Sequence, residues 1–212
     1  MGLALTLLID TRIETPDSDW VKEQNSQGFE VLHLPALEVE SLNTILDWSG
    51  VEALFLASPR AVFLAQEKLK KFDGPIWVVG PGTAKTLTTI GLKATEVGDG
   101  SGAFPFLKSL QSRDAGTFPI SVLAWISAEE TAVDLDFIAT QFQLEIRHFP
   151  VYRTVFKKYD FSYMNSLSKP RKWFFYSGRA VESFASFISP EDDVVCIGKS
   201  AEQKYDELIK RD

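Results

Sequence analysis

The sequence predicts an α/β protein with parallel sheets, and three observations carry that prediction. Apolar runs of strand length alternate with segments of helical pattern along almost the whole chain. An apolar run at residues 53–57 leads straight into Ser58-Pro59, a helix-start signal. There the Ser hydroxyl suits the cap, and Pro suits the first helical position, where a missing N–H is harmless. Finally, several motifs occur twice, in the same order.

Each element follows from local chemistry. Residues 3–10 are an apolar strand ending at Asp10-Thr11-Arg12. Asp17 or Ser18 can cap a helix that runs to about Gln27, where Gly28 stops it. Residues 29–34 are a second strand, closed by Pro35, and residues 35–41 are short and extended. A helix around 42–48 precedes the strand at 53–57 and the helix from Pro59 to about Lys71. Gly74-Pro75 turns the chain into the strand 76–79. Beyond the loop Gly80-Pro81-Gly82 come a helix at 83–90, a short strand at 92–97, a Gly-rich loop at 98–102 and a helix at 103–111. The order then begins again, with strand 121–127, helix 131–142, strand 144–149, an extended crossover, strand 172–177, helix 180–188, strand 193–197 and helix 200–210.

The repetition reaches the residue level. Glu30 to Pro35 matches Glu145 to Pro150, with His33 answered by His148 after 115 residues. Ser58, with Arg60-Ala61-Val62, is answered after 119 residues by Ser177, with Arg179-Ala180-Val181. Gly80 to Ala84 is answered after 118 residues by Gly198 to Ala201, one residue shorter. Three ordered pairs at nearly constant spacing indicate an internal duplication. After Ala84 the first copy continues through helix, strand and helix. After Ala201 the second copy has one helix, so one domain is expected to lack its last strand–helix unit.

Composition excludes several functions. The 212 residues are 45% hydrophobic and 24% charged, an ordinary globular balance. A net charge of -7 argues against binding nucleic acid through a basic face. One Cys and two His leave neither a disulfide nor a structural zinc site, and Cys196 lies in an apolar run as a core residue. Gly2 and Thr6 fit an acylation pattern, but the same residues are needed for the first strand. That start lacks a positive region and is too short to span a bilayer. A cytoplasmic, monomeric protein with no membrane contact is the expectation. Gly80 to Lys85 has neither the third glycine of a dinucleotide loop nor a P-loop ending. Glu129, Glu130, Asp134 and Asp136 read as the acidic start of a helix and not as catalytic carboxylates.

Helix starts after Ser58, Gly82, Ser177 and Lys199 present free amides and a partial positive charge. Such mouths accept anions without a basic protein. Arg12, Arg60, Arg153, Arg179 and Lys199 can add charge locally, although Arg60 and Arg179, one residue into their helices, read mainly as solvated.

The ordered set Thr11-Arg12, residues 28–35, Ser58 to Val62, Val79 to Ala84, Val151 to Thr154, Ser177 to Val181 and Ile197 to Ala201 resembles uroporphyrinogen-III synthase over nearly the whole chain. The resemblance implies two flavodoxin-like parallel-sheet domains joined by two extended crossovers, about 35–40 and 149–154. One domain would combine 1–34 with 155–212, and the other would be 41–148, with a cleft between them. It also implies a cofactor-independent, metal-free lyase of tetrapyrrole and haem biosynthesis. That enzyme closes hydroxymethylbilane, an anionic linear tetrapyrrole, with inversion of the last pyrrole ring and loss of water. By the same resemblance Tyr152, in the Val-Tyr-x-Thr position, is the candidate acid, against a reading in which it packs the crossover. Arg12, Ser58, Gly82, Thr83, Ser177, Lys199 and Ser200 are the candidate substrate contacts, the hydroxyl residues being equally readable as caps. His33 and His148 flank the crossovers. Gly178 stands where the family has Pro, and Ser127 to Thr131 where it has a Gly and an Arg. A second reading, from another class, is a member that keeps the fold as a tetrapyrrole-binding or interaction module.

Overall fold

Apolar runs become parallel strands when helices cover both faces of the sheet, and two such sheets form here. The computed structural model describes residues 5–113 and 120–210, so residues 3 and 4 of the expected first strand lie outside the described residues. In chain order the elements begin with β1 (Thr6–Asp10), α1 (Ser18–Ser26), β2 (Phe29–His33), β3 (Leu37–Ser41), β4 (Ala53–Leu56) and α2 (Pro59–Leu69). There follow β5 (Ile76–Val78), α3 (Pro81–Thr89), β6 (Glu96–Val97), α4 (Ala103–Arg113), β7 (Val122–Ala128) and α5 (Leu135–Phe142). The last are β8 (Glu145–Phe156), α6 (Phe161–Ser166), β9 (Arg171–Phe175), α7 (Gly178–Phe184), β10 (Asp193–Cys196) and α8 (Lys199–Leu208).

The chain divides into two compact units, Met1–Val39 with Thr154–Asp212, and Glu40–Arg153. The first unit carries the sheet β10-β9-β1-β2, parallel throughout. The second carries β8-β7-β4-β5-β6, also parallel, with β3 alongside β8. The orders correspond strand for strand, β2 to β8, β1 to β7, β9 to β4 and β10 to β5. The repeated Ser and Gly motifs therefore follow equivalent strands, and the repeated His residues sit on equivalent strands. Among the described residues the first unit has no counterpart of β6.

Each core is built from aromatic residues on the strands. In the first unit, the rings of Trp173 and Phe175 stack at 5.6 Å and meet Phe184 of α7. Under them lies a buried ion pair, Arg171–Asp192 at 2.9 Å. Asp192 also accepts from the Trp173 indole and the Ser189 amide. Burial alone would raise the Asp192 pKa, but these hydrogen bonds outweigh it and hold the carboxyl below its usual value. In the second unit Phe55 and Trp125 lie 4.2 Å apart, packed with Phe106, Leu107 and Phe142.

Several expectations are corrected. Residues 42–48 are not helical. The Leu42 amide donates to the Val151 carbonyl and the Thr44 hydroxyl to the Pro150 carbonyl, so this stretch continues along β8. Short polar side chains here favour such bonds over a helix. The helix expected from 131 starts at Leu135, because Asp134 caps it by accepting from the Asp136 and Phe137 amides. α3 and α8 begin at Pro81 and Lys199, one or two residues earlier than expected. α7 ends at Phe184 and tightens into a 3₁₀ turn, Ala185–Phe187. β8 runs on through the crossover to Phe156, and α6 was not anticipated.

Candidate functional site

In open α/β sheets ligands bind beyond the carboxyl ends of the strands, where neighbouring strands send their helices in opposite directions. In the second unit that point lies between β4 and β7, since α2 leads toward β5 and α5 toward β8. A cavity of about 260 Å³ lies there, lined by Ala57 and Ser58 after β4, Trp125 and Ser127 of β7, Val79, and Tyr152 of β8. A larger cavity in this unit, about 580 Å³, is lined by Glu52, Pro75 and Ser121 at the opposite ends of the strands. It holds none of the candidate residues, so the chemistry favours the smaller one.

Ser58 caps α2, its Oγ accepting from the Ala61 amide at 3.2 Å. The same Oγ lies 3.2 Å from the Tyr152 hydroxyl, so the structure brings these two candidates together. Tyr152 is placed by a β-bulge. Ser127 pairs with Pro150, but the next residue, Ala128, pairs with Tyr152, so Val151 is extra. Without the extra residue, alternation along the strand would put the ring on the other face. The Tyr152 carbonyl accepts from the Glu129 amide at 2.7 Å, which fixes the bulge. The ring is 7% exposed, with the Arg60 guanidinium 5.3 Å from its centroid. Arg60 is thus stacked on the candidate acid, and the expectation of a solvated side chain is corrected.

α3 has no side-chain cap. Its first turn therefore leaves amides for an outside acceptor. Gly82 is exposed there with open space beside it, whereas Thr83 is buried at 3%. A methyl on Gly80 would sit 2.9 Å from the Gly100 Cα, so only glycine lets the 98–102 loop come this close.

The equivalent point of the first unit lies between β1 and β9. Arg12 is held there by Asp10, whose carboxylate oxygens lie 2.9 and 2.8 Å from Nε. It also donates to the Tyr176 hydroxyl and lies 4.4 Å from the Trp20 ring and 4.7 Å from the Tyr176 ring. Burial would lower the guanidinium pKa, but Asp10 and Tyr176 more than offset it and raise it. Burial, with the Asp10 charge adding to it, pushes the Tyr176 phenol up to about 12. Ser177 caps α7 through the Ala180 amide at 3.2 Å. Arg179 donates to the Thr154 hydroxyl at 2.7 Å and the Thr154 carbonyl at 3.0 Å, so it too is not a solvated side chain. Lys199 and Ser200 are exposed at the start of α8, which has no side-chain cap.

The repeated histidines do the same work twice. His33 Nε2 lies 2.9 Å from the Arg12 carbonyl and His148 Nε2 3.1 Å from the Ala128 carbonyl. A carbonyl only accepts, so each Nε2 carries the hydrogen. Both rings pin the loop that leaves the neighbouring strand. Sequence reasoning missed Asp10 and Tyr176, although both stand at strand ends beside candidates it did name. It also missed Trp125, whose indole Nε1 is buried with no partner. An unmatched buried donor costs about 1–3 kcal/mol, so this one calls for an explanation.

Among the described residues no helix is long and apolar enough to cross a membrane. Against curated proteins the chain has no match. Among solved structures it is similar to a uroporphyrinogen-III synthetase from Helicobacter pylori, with 17% identity and a TM-score of 0.68 over 96% of this chain and 89% of that one. It is similar also to a mutant uroporphyrinogen III synthase from Thermus thermophilus, with 14% identity and a TM-score of 0.57 over 96% and 89%. At these identities the likeness establishes the fold. Residues 18–209 match the sequence model of uroporphyrinogen-III synthase HemD, and on that match the chain belongs to the uroporphyrinogen-III synthase family, cofactor-independent cyclising lyases of tetrapyrrole biosynthesis.

Proposed function

We propose that this chain closes hydroxymethylbilane to uroporphyrinogen III through the hydroxyl pair Ser58–Tyr152. The observation that carries the proposal is that pair, 3.2 Å apart at a cavity beyond the strand ends. Tyr152 gives its proton to the departing hydroxyl. The C–O bond breaks, water leaves, and the remaining methylene carbon is an electrophile. For the last ring to invert, its ring carbon that already bears the bridge must bond to that methylene, the old bridge bond must break to leave a second electrophilic methylene, and the ring's free carbon must bond to that one; the proton this free carbon loses restores the phenol. While Tyr152 is a phenolate, the Ser58 O–H and the Arg60 guanidinium beside the ring stabilise the charge.

The substrate's carboxylates are met by hydrogen-bond donors and not by a basic field, since the chain's net charge is -7. The starts of α3 (Gly82, Thr83) and α8 (Lys199, Ser200) supply amides. Arg12 and Ser177 supply a fixed cation and a hydroxyl in the first unit. Holding the chain ends in a reactive pose is the main source of rate, since such positioning contributes about 7–11 kcal/mol in favourable cases. We take the protein to work as a monomer in the cytoplasm, as fits a family of tetrapyrrole-biosynthetic enzymes acting on a small-molecule substrate. Supplying hydroxymethylbilane, oxidising the products and separating the isomers tests the function. Isomer III in excess over the spontaneous isomer I is expected, and isomer I alone at the uncatalysed rate would refute it.

A further inference from the structure

Arg12 is fixed from both ends. Its backbone stretch is tied down, with the Leu34 amide donating to the Asp10 carbonyl, the Ala36 amide to the Thr11 carbonyl, and His33 Nε2 to the Arg12 carbonyl. The Thr11 hydroxyl in turn donates to the Phe174 carbonyl at 2.7 Å. The side chain is held as firmly. Asp10 takes Nε, the Tyr176 hydroxyl takes Nη2, and the rings of Trp20 and Tyr176 lie 4.4 and 4.7 Å from the guanidinium carbon. Nη1 is left over. Among the described residues the buried side-chain atoms without a hydrogen-bond partner are Asp10 Oδ2 and Trp125 Nε1, so Nη1, which also has none, is open to solvent. The Arg12 side chain as a whole is 23% exposed, and that of Asp10 0%.

The fold itself does not require this arrangement. Asp10 is the register partner of His33, and in the second unit the partner of His148 is Trp125, followed two residues later by Ser127. The same point of an equivalent sheet thus forms from two neutral residues. A buried carboxylate carries a desolvation cost, and Oδ2, which has no hydrogen-bond partner, recovers little of it. Stability is therefore a weak reason for the pair, and a fixed cation is a stronger one.

We propose that Asp10 and Tyr176 are positioning residues, which hold Arg12 so that Nη1 meets a carboxylate of the tetrapyrrole substrate. A free arginine gives up rotamer freedom when it binds an anion, and one already locked has little left to lose. The Asp10 charge offsets that of the guanidinium, so attraction at a distance is weak and the Nη1 hydrogens act through their direction. For a substrate with several carboxylates this selects one of them, the one presented at the right place and angle.

The proposal rests on the function above, and its test separates the two. Asp10→Asn removes a negative charge beside Arg12, so a purely electrostatic role predicts a lower KM for hydroxymethylbilane. Loss of positioning predicts the reverse, a KM about fivefold higher with kcat within twofold, as rotamer freedom returns to Arg12. Tyr176→Phe keeps the ring and the charge balance and should raise KM by a similar factor. Arg12→Lys keeps a cation against Asp10 but has no Nη1. In that background Tyr176→Phe should move KM by less than twofold, whereas a packing role for Tyr176 would show its full effect again. A KM for Asp10→Asn at or below wild type, or equal effects of Tyr176→Phe in both backgrounds, would overturn the proposal. Should Asp10→Asn fail to fold, the Tyr176 cycle decides alone. If the wild type makes no isomer III, the catalytic function fails, and the same ratios are read as Kd for uroporphyrin III from porphyrin emission anisotropy. A wild type that also binds no uroporphyrin III overturns both.

Discussion

Tyr152 depends on one extra residue in β8. The Val-Tyr-x-Thr motif was legible in the sequence, and so was its place in a crossover. The bulge at Ser127 and Ala128 that turns the ring onto the Ser58 face was not, because a register shift belongs to two strands at once. Trp125 was less legible still. An indole in an apolar run reads as core, and only the missing acceptor in the folded state distinguishes it. The reverse error concerns Arg179, whose sequence position near a helix start suggested solvent, while the Thr154 hydroxyl and carbonyl hold it. At this scale the expected outcome for Tyr152→Phe is a kcat about 10²-fold lower, since a positioned acid contributes at least that much in typical cases. Initial rates of isomer III formation measure it, and a rate within a few-fold of wild type would leave Tyr152 as a packing residue.

The two serine-capped helices look interchangeable in the sequence, but α7 cannot be a copy of α2. Pro59 opens α2, and Gly178 stands in its place in α7. A Cβ at Gly178 would lie 2.9 Å from the Ser200 carbonyl oxygen and 3.2 Å from Lys204 Cβ, so the close approach of α8 excludes any side chain there. The departure from the family's Pro therefore has a packing cause. Gly178→Ala is expected to destabilise by about 1–3 kcal/mol through overpacking, more than the roughly 1 kcal/mol that alanine gains as a helix former. Gly82→Ala is the contrast, as a Cβ there meets nothing within 4 Å and should leave stability equal or higher. Chemical denaturation of both variants measures the difference. Residues 42–48 teach a similar lesson. Their pattern allows a helix, yet bonds to the distant Val151 and Pro150 carbonyls decide otherwise.

Across the whole molecule the duplication was the most legible feature, and the matching strand orders explain why. Repeated motifs survive where a strand end, a cap and a pinning histidine must meet. What the copies do not share is equally physical. Asp10 and Trp125 differ at equivalent positions: the first carries an ion pair with Arg12, although its Oδ2 has no hydrogen-bond partner, and the second leaves its indole N–H without one. The first unit also has its own response to alkali. Burial pushes the phenols of Tyr159 and Tyr176 up to about 12, and burial raises Tyr205 as well, all three in the first unit. A folded pKa above the unfolded value, about 10, means that this stability is complete below pH ~10 and is lost as pH rises toward ~12. The first unit should therefore melt at lower temperature as pH climbs through that window. Phenolate absorbance should show Tyr159 and Tyr176 ionising late, and both ionising near 10 in the folded protein would refute the assignment.

The discontinuity of the first unit sets an order of events during synthesis. Its strands β1 and β2 leave the ribosome early, but their sheet partners β9 and β10 come only after residues 40–153 have been made. The second unit is continuous and emerges whole in that interval. Until translation passes Phe175, β1 has an open edge where β9 belongs, so the nascent chain carries a finished domain beside a half-made sheet.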